Sequence, residues 1–188
     1  MSCNLTSGRT ELSCFDNIGG VKRVYLMPFV SYNISQIVGT RGVEVTSFPY
    51  TTIYAYETTN ANFNEQINND ENGVSYSQSL TFTLLKQDLA TTKELNNATK
   101  IDLRYIVEFN DGKYRFGGLW KGATISSIDL QSGGSKADGN LYNLTINSEE
   151  EYSAAYLDDL TDFEEYNTLL LQDGFSLLLE DGFKIILE

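Results

Sequence analysis

Apolar and polar positions alternate with a period of two over much of the chain, the pattern of strands with one buried and one wet face. The pattern is densest over 100–148. Ile101, Leu103, Tyr105, Val107 and Phe109 alternate with Asp102, Arg104 and Glu108, which predicts a half-buried strand. Asn110-Asp111-Gly112-Lys113 follows, and Asp-Gly predicts a tight hairpin turn with both turn positions at φ > 0. The chain returns through Tyr114, Phe116 and Leu119 to Trp120, with Gly117-Gly118 predicting a bulge or a close backbone approach. Gly122 opens a third strand over 123–130, and a Gly/Ser loop over 131–140 leads to a fourth over 141–147. The region reads as a run of paired strands, and a sheet is the scaffold.

Upstream, residues 1–20 are polar and Gly-rich and read as an N-terminal arm. Residues 21–29 are apolar at both parities, which predicts a central strand closed by Pro28. A turn over 39–42 precedes short strands over 43–48 and 51–56. Segment 58–73 holds Asn60, Asn62, Asn64, Asn68, Asn69 and Asn72. Its composition predicts a long loop, with Phe63 and Ile67 as candidate anchors, either for a partner or for the loop itself. Residues 74–84 alternate without a fault: Val74, Tyr76, Gln78, Leu80, Phe82 and Leu84 against Ser75, Ser77, Ser79, Thr81 and Thr83. The uncharged Ser/Thr side suits a solvated sheet face, a wet subunit interface or a lumen wall. Residues 87–98 predict a helix with Asp88 as N-cap and Leu89, Leu95 and Ala98 on its buried side. A second, short helix is expected within 149–162.

The end repeats. Leu169-Leu170-Leu171-Gln172-Asp173-Gly174-Phe175 is echoed by Leu177-Leu178-Leu179-Glu180-Asp181-Gly182-Phe183, then by Ile185-Ile186-Leu187. Asp-Gly at both junctions predicts a three-strand meander with two-residue turns. Leucine at both parities obliges such a ribbon to bury a face on the body or on another subunit. At about 25 cal/mol per Å² of apolar surface this is worth several kcal/mol. Leu169, Leu171, Phe175, Leu177, Leu179, Phe183, Ile185 and Leu187 therefore join Phe63 and Ile67 as candidate assembly residues.

Composition narrows the classes. A chain of 188 residues, 41% hydrophobic and 21% charged, is one globular domain with room for a core. Twelve Tyr and ten Phe favour β structure. Net charge is −13, and 149–188 holds twelve acids against Lys184 alone, so −11 of it lies there. No Lys/Arg cluster exists to grip phosphates, which argues against tight nucleic-acid binding. No apolar run reaches the roughly 20 residues that span a bilayer, and no basic-then-apolar leader is visible. Synthesis in the cytosol is expected, and the Asn-x-Ser/Thr triplets at Asn4, Asn33, Asn97 and Asn143 carry no weight there. Cys3 and Cys14 read as reduced structural thiols.

Signatures of chemistry are missing. The chain has no His for a triad, a zinc site or a near-neutral base. It has no phosphate-binding loop or dinucleotide fingerprint, and no carboxylate pair stands out for glycoside hydrolysis. Turn roles account for Asp138-Gly139-Asn140, Asp173 and Asp181 without calcium. Trp120 with Tyr114 and Phe116 is a candidate sugar-stacking group, with core packing as the alternative. The expectation is a protein that is not an enzyme and carries no cofactor or metal.

Asp16-x-x-Gly19-Gly20-Val21-Lys22-Arg23-Val24-Tyr25-Leu26, followed by the Asn-rich segment and Tyr76-Ser77-Gln78-Ser79-Leu80-Thr81-Phe82, resembles the major tail tube proteins of tailed phages, especially of Bacteroidetes-type hosts. Asn110 to Gly118, Gly139 to Ile146 and the Leu-Leu-Leu-x-Asp-Gly-Phe ending fit the same pattern. The resemblance implies a mainly β fold, a β-sandwich or barrel-like tail-tube domain with one flanking α-helix, extended loops and a C-terminal β-meander. It divides the chain into an arm (1–20), a tail-tube domain (21–165, with the 58–73 loop and the 87–98 helix) and the Leu-rich repeat (166–188). It implies a virion structural protein, made in the host cytoplasm. Copies would form rings, most simply hexamers, stacked into a tube that contacts other tail and connector proteins. Genomic DNA would pass through the lumen without tight binding, and no membrane is involved. The arm, the 58–73 segment and the repeat become candidates for ring-to-ring contacts. Another virion ring, terminator, connector or baseplate component is an alternative, as is a soluble β-sandwich carbohydrate-binding module.

Overall fold

The computed structural model describes residues 19–31, 37–49, 51–71, 73–135 and 138–165, together with 169–170 and 176–177. In chain order the elements are β1 (Val21–Pro28), β2 (Val38–Thr40), β3 (Glu44–Ser47), β4 (Thr51–Glu57), β5 (Thr59–Asp70), β6 (Gly73–Leu85) and α1 (Leu89–Ala98). They continue as β7 (Leu103–Phe109), β8 (Tyr114–Gly117), β9 (Thr124–Gln131), β10 (Leu141–Glu150), β11 (Ala155–Leu157), β12 (Phe163–Glu165), β13 (Leu169–Leu170) and β14 (Ser176–Leu177).

Two sheets organise the body. The larger runs β4-β1-β7-β8-β11-β3-β2, with β12 added in parallel at the β4 edge. The smaller is antiparallel, in the order β5-β6-β10-β9. Between them lies the first core: Val24, Leu26, Tyr105 and Val107 against Leu80, Phe82, Tyr142, Leu144 and Ile146, with Leu95 of α1 packed into it. The larger sheet has a second core on its other face, where Tyr25, Met27, Ile53, Ile106 and Phe116 meet Phe48, Leu119, Leu157 and Phe163. Its two ends curl toward each other there. The Phe48 and Phe163 rings stack at 5.5 Å and the Phe48 N–H donates to Asp162 Oδ2 at 2.8 Å. The sheet does not close into a barrel.

Two cores on one sheet explain why β1 is apolar at both parities, as its sequence predicts. They also correct the half-buried reading of β7. That strand is buried on both faces, and its two charged residues survive burial because each is satisfied. Arg104 donates to Leu119 O at 2.9 Å and Val30 O at 2.7 Å and lies over the Phe29 ring. Glu108 accepts from Lys22 and from the Tyr25 hydroxyl. The region 100–148 is likewise not one paired run. β7 and β8 pair in the larger sheet, β9 and β10 in the smaller, and the chain crosses between sheets at 118–123.

Four further expectations are corrected. The Asn-rich segment 58–73 is not a loop but β5 and the β5–β6 turn, paired from Asn62↔Thr81 to Asp70↔Gly73. No second helix forms in 149–162; turns and β11 occupy it, and Tyr156 is an exposed strand residue. α1 has the predicted Asp88 cap, which accepts from Thr91 N–H, but Leu89 faces solvent and only Leu95 is buried. The Asp111-Gly112 turn is not a two-residue one. Glu108 pairs with Tyr114, Gly112 N–H bonds Phe109 O, and Gly112 alone has positive φ, the three-residue turn with a left-handed glycine. Leu169 pairs with Leu177 and Leu170 with Ser176; the Asp-Gly turns expected within the repeat, at 173–174 and 181–182, lie outside the described residues. Gly117 does meet the expectation of close approach: a Cβ there would lie 2.2 Å from Tyr105 Cζ.

Candidate assembly interface

The smaller sheet is the feature on which assembly can be built. β5 has β6 on one side and, among the described residues, no strand on the other; β9 is likewise bonded only to β10. Sheet edges left open in this way invite other chains, and stable monomers guard them with Lys, Pro, bulges or short strands. β5 has 12 residues and β9 has eight, and neither contains Lys, Arg or Pro. Each edge strand carries one bulge, β5 between Thr59 and Asn62 and β9 at Ser126, and β5 is then in unbroken register from Asn62 to Asp70.

The outward face of this sheet is uncharged over most of its area. Asn62, Thr81, Thr145 and Ser127 lie in one row across the four strands. Asn64, Ser79, Asn147 and Thr124 form the next. Asn68 Nδ2 donates to Ser77 Oγ at 2.8 Å and Thr83 Oγ1 to Asn143 Oδ1 at 2.8 Å, so amides and hydroxyls tie neighbouring strands together. Among the outward residues of the four strands, carboxylates enter only toward the margins, at Asp70, Glu149 and Asp129, and no Lys or Arg does, with Lys121 beside Asn147 and Glu149 at the strand ends.

A buried polar knot fixes where the β5–β6 hairpin leaves the body. Gln78 is 2% exposed, and its Oε1 receives Ser148 Oγ (3.0 Å), Gly118 N (3.1 Å) and Tyr105 OH (3.3 Å). Its Nε2 donates to Glu65 Oε2 at 3.1 Å, and Glu65 also accepts from Ser153 Oγ and Ala154 N, each at 2.6 Å. One strand further, Glu150 accepts from Trp120 N (3.1 Å) and Lys121 N (3.0 Å). Burial raises the Glu150 pKa despite these two donors, and burial likewise raises Tyr105. Every member of the knot belongs to β5, β6, β7, β10 or the turns beside them, so the hairpin is held by both sheets at once.

The candidate site residues fare differently. Phe63 is not free for a partner, because its ring packs edge-on against Tyr105 at 6.3 Å and Phe109 at 6.4 Å. Ile67 is exposed near the hairpin tip. Leu169 and Leu177 oppose each other in β13 and β14. Leu171, Phe175, Leu179, Phe183, Ile185 and Leu187 lie outside the described residues, as do Cys3, Cys14 and nearly all of the 1–20 arm. Trp120, Tyr114 and Phe116 do not gather into a stacking platform. Phe116 is wholly buried in the second core, and Trp120 packs against Tyr152 under the Arg41 guanidinium. Among the described residues no group of His, Cys, Asp and Glu is placed to hold a metal ion, and no helix is long and apolar enough to cross a membrane.

Sequence reasoning missed β5, half of the candidate interface. Compared with protein-family models, curated proteins and solved structures, the chain finds no match.

Proposed function

We propose that this chain is a structural virion protein, the subunit of a phage tail tube, with copies joined edge to edge into rings and rings stacked into a conduit for DNA. The observation that carries the reading is the four-stranded sheet whose two edge strands, β5 and β9, have no strand beyond them among the described residues and contain no Lys, Arg or Pro. Successive strands in it are all antiparallel, so β5 and β9 run in opposite directions. A rotated copy therefore sets its β5 antiparallel against the first copy's β9, and repetition of one heterologous contact closes a ring. Barrels of 16–18 strands already enclose an aqueous channel. Six copies, the number the tail-tube resemblance implies, enclose a wider one.

The uncharged outward face suits the wall of that channel. Asn, Gln, Ser and Thr keep it wet without offering phosphates a cation, so a duplex passes with little retention. Among the described acidic residues after Ser148, Glu149 is the one on this face. The protein does no chemistry in this reading, and its partners are copies of itself and adjoining tail components.

Negative-stain microscopy of the purified protein tests it. Long hollow tubes are the expected result. Isolated rings that never stack support a terminator or connector, and monomers that bind glycans support a carbohydrate-binding module.

A further inference from the structure

The crossover between the sheets, the β2–β3 turn and the β10–β11 turn meet around a cavity of about 320 Å³, at the small end of the range for small-molecule sites. Phe29, Ile37 and Leu119 give it an apolar wall, the last two continuous with the second core. Its charge is positive in a chain of net charge −13: Arg41, Arg104 and Lys121 line it against Glu151 alone. Glu151 is paired with Lys121 at 3.1 Å, and the neighbouring Glu150 is held by the Trp120 and Lys121 N–H groups. Arg104 is 2% exposed and fixed in the wall by the Leu119 and Val30 carbonyls and the Phe29 ring. Arg41 is exposed and has no carboxylate partner among the described residues. The Trp120 and Tyr152 rings, 5.4 Å and 5.8 Å from its guanidinium carbon, hold it in place without neutralising its charge. The buried Trp120 indole N–H has no acceptor and adds a further donor to the same wall.

We infer that this cavity binds a small organic acid, a carboxylate carried on an apolar body. Arg41 takes the carboxylate, Arg104 supplies a fixed buried charge beside it, and Phe29, Ile37 and Leu119 cover the body. A planar guanidinium matches a carboxylate with two parallel hydrogen bonds. Because the rings already hold Arg41 in place, little of its freedom remains to be lost on binding. A cation meets three like charges here, and an inorganic anion gains nothing from the apolar wall. The site uses neither the edges nor the outward face of the smaller sheet, so it does not depend on the tube reading.

Trp120 is the only tryptophan of the chain, so its fluorescence reads this cavity directly. Titration of the full chain with phenylacetate is expected to give a saturable change. Phenylacetamide and inorganic phosphate are each expected to bind at least about tenfold more weakly. Arg41→Gln is expected to weaken phenylacetate by about tenfold or more, with the far-UV circular dichroism of the wild type. Ile37→Phe, which narrows the cavity and leaves its charge alone, is expected to weaken it as well. No saturable response to phenylacetate overturns the site. So does an amide that matches the acid, or an Arg41→Gln protein that binds as the wild type does. Phosphate bound as tightly as phenylacetate, and lost in Arg41→Gln, overturns the assignment to an organic acid.

Discussion

Glu65 and Gln78 face each other directly across β5 and β6, and the Gln78 amide donates to the Glu65 carboxylate at 3.1 Å. The pair is the point at which an otherwise polar, exposed hairpin becomes part of the body. Glu65→Ala leaves the Gln78 amide N–H and the Ala154 N–H without an acceptor and takes from Ser153 its shorter bond, and is expected to cost about 2 kcal/mol in urea unfolding. Glu65→Gln keeps one acceptor oxygen and is expected to cost less. Equal stability of all three proteins would remove the knot's structural role.

Glu150 sets a pH dependence of the opposite sign from most carboxylates. Its folded pKa lies above the unfolded value because of burial, so its ionisation opposes folding at neutral pH. That penalty is relieved as pH falls through the raised pKa. Glu108 works the other way. Burial alone would raise it, but Lys22 and the Tyr25 hydroxyl bring its pKa below the ordinary value, and its stabilisation is lost only as pH falls through that lowered pKa. Stability is therefore expected to rise on acidification from neutrality, then fall below the ordinary carboxylate range. Glu150→Gln is expected to remove the rise, as chemical denaturation at stepped pH would read.

Gly117→Ala tests the fit of β7 against β8. The added carbon has no room beside the Tyr105 ring, 2.2 Å away, and both residues are fully buried. A loss of about 3 kcal/mol is expected in thermal or urea unfolding. Gly112→Ala, strained by its φ of 81° but in open space, is expected to cost about 1–2 kcal/mol.

The neutral face gives a prediction on DNA. Asn64 and Asn147 flank Ser79 on the outward side of the smaller sheet and are exposed. Assemblies carrying Asn64→Lys and Asn147→Lys are expected to retain duplex DNA at low salt and release it as salt rises, while the wild type retains none. Indistinguishable retention would count against this face lining the channel.

Truncation after Glu165 keeps β12 and both cores and removes the Leu-rich repeat. The body is expected to fold, judged by circular dichroism, and assembly to weaken. Normal polymerisation of the truncated chain would dismiss the repeat as an assembly element.

What was legible followed from period. The alternation from Val74 to Leu84 places Leu80 and Phe82 inside and Ser79 and Thr81 outside, and both are found so. β5 carries the same signal: Ala61, Phe63, Glu65 and Ile67 alternate with Asn62, Asn64, Gln66 and Asn68. As composition its asparagines favour turns, whereas their spacing of two marks a strand. The pairing partner, not intrinsic propensity, decides such a strand. The second core was illegible for a different reason. It depends on Phe48, Phe116 and Phe163 meeting from distant parts of the chain, and no local pattern encodes that meeting. The polar knot was hidden similarly, since Gln78 stands at an inward position that alternation alone treats as apolar.

The bond from Phe48 to Asp162 spans 114 residues, and Phe163 beside it completes the second core. During translation β4 is therefore made long before the strand that flanks it. Until residues 162–165 have left the ribosome, the Phe48–Phe116 pair lacks its third ring, Phe163, and the nascent chain displays a greasy, unfinished flank. Closure of the second core is thus the last step in building the body, delayed until that late strand arrives.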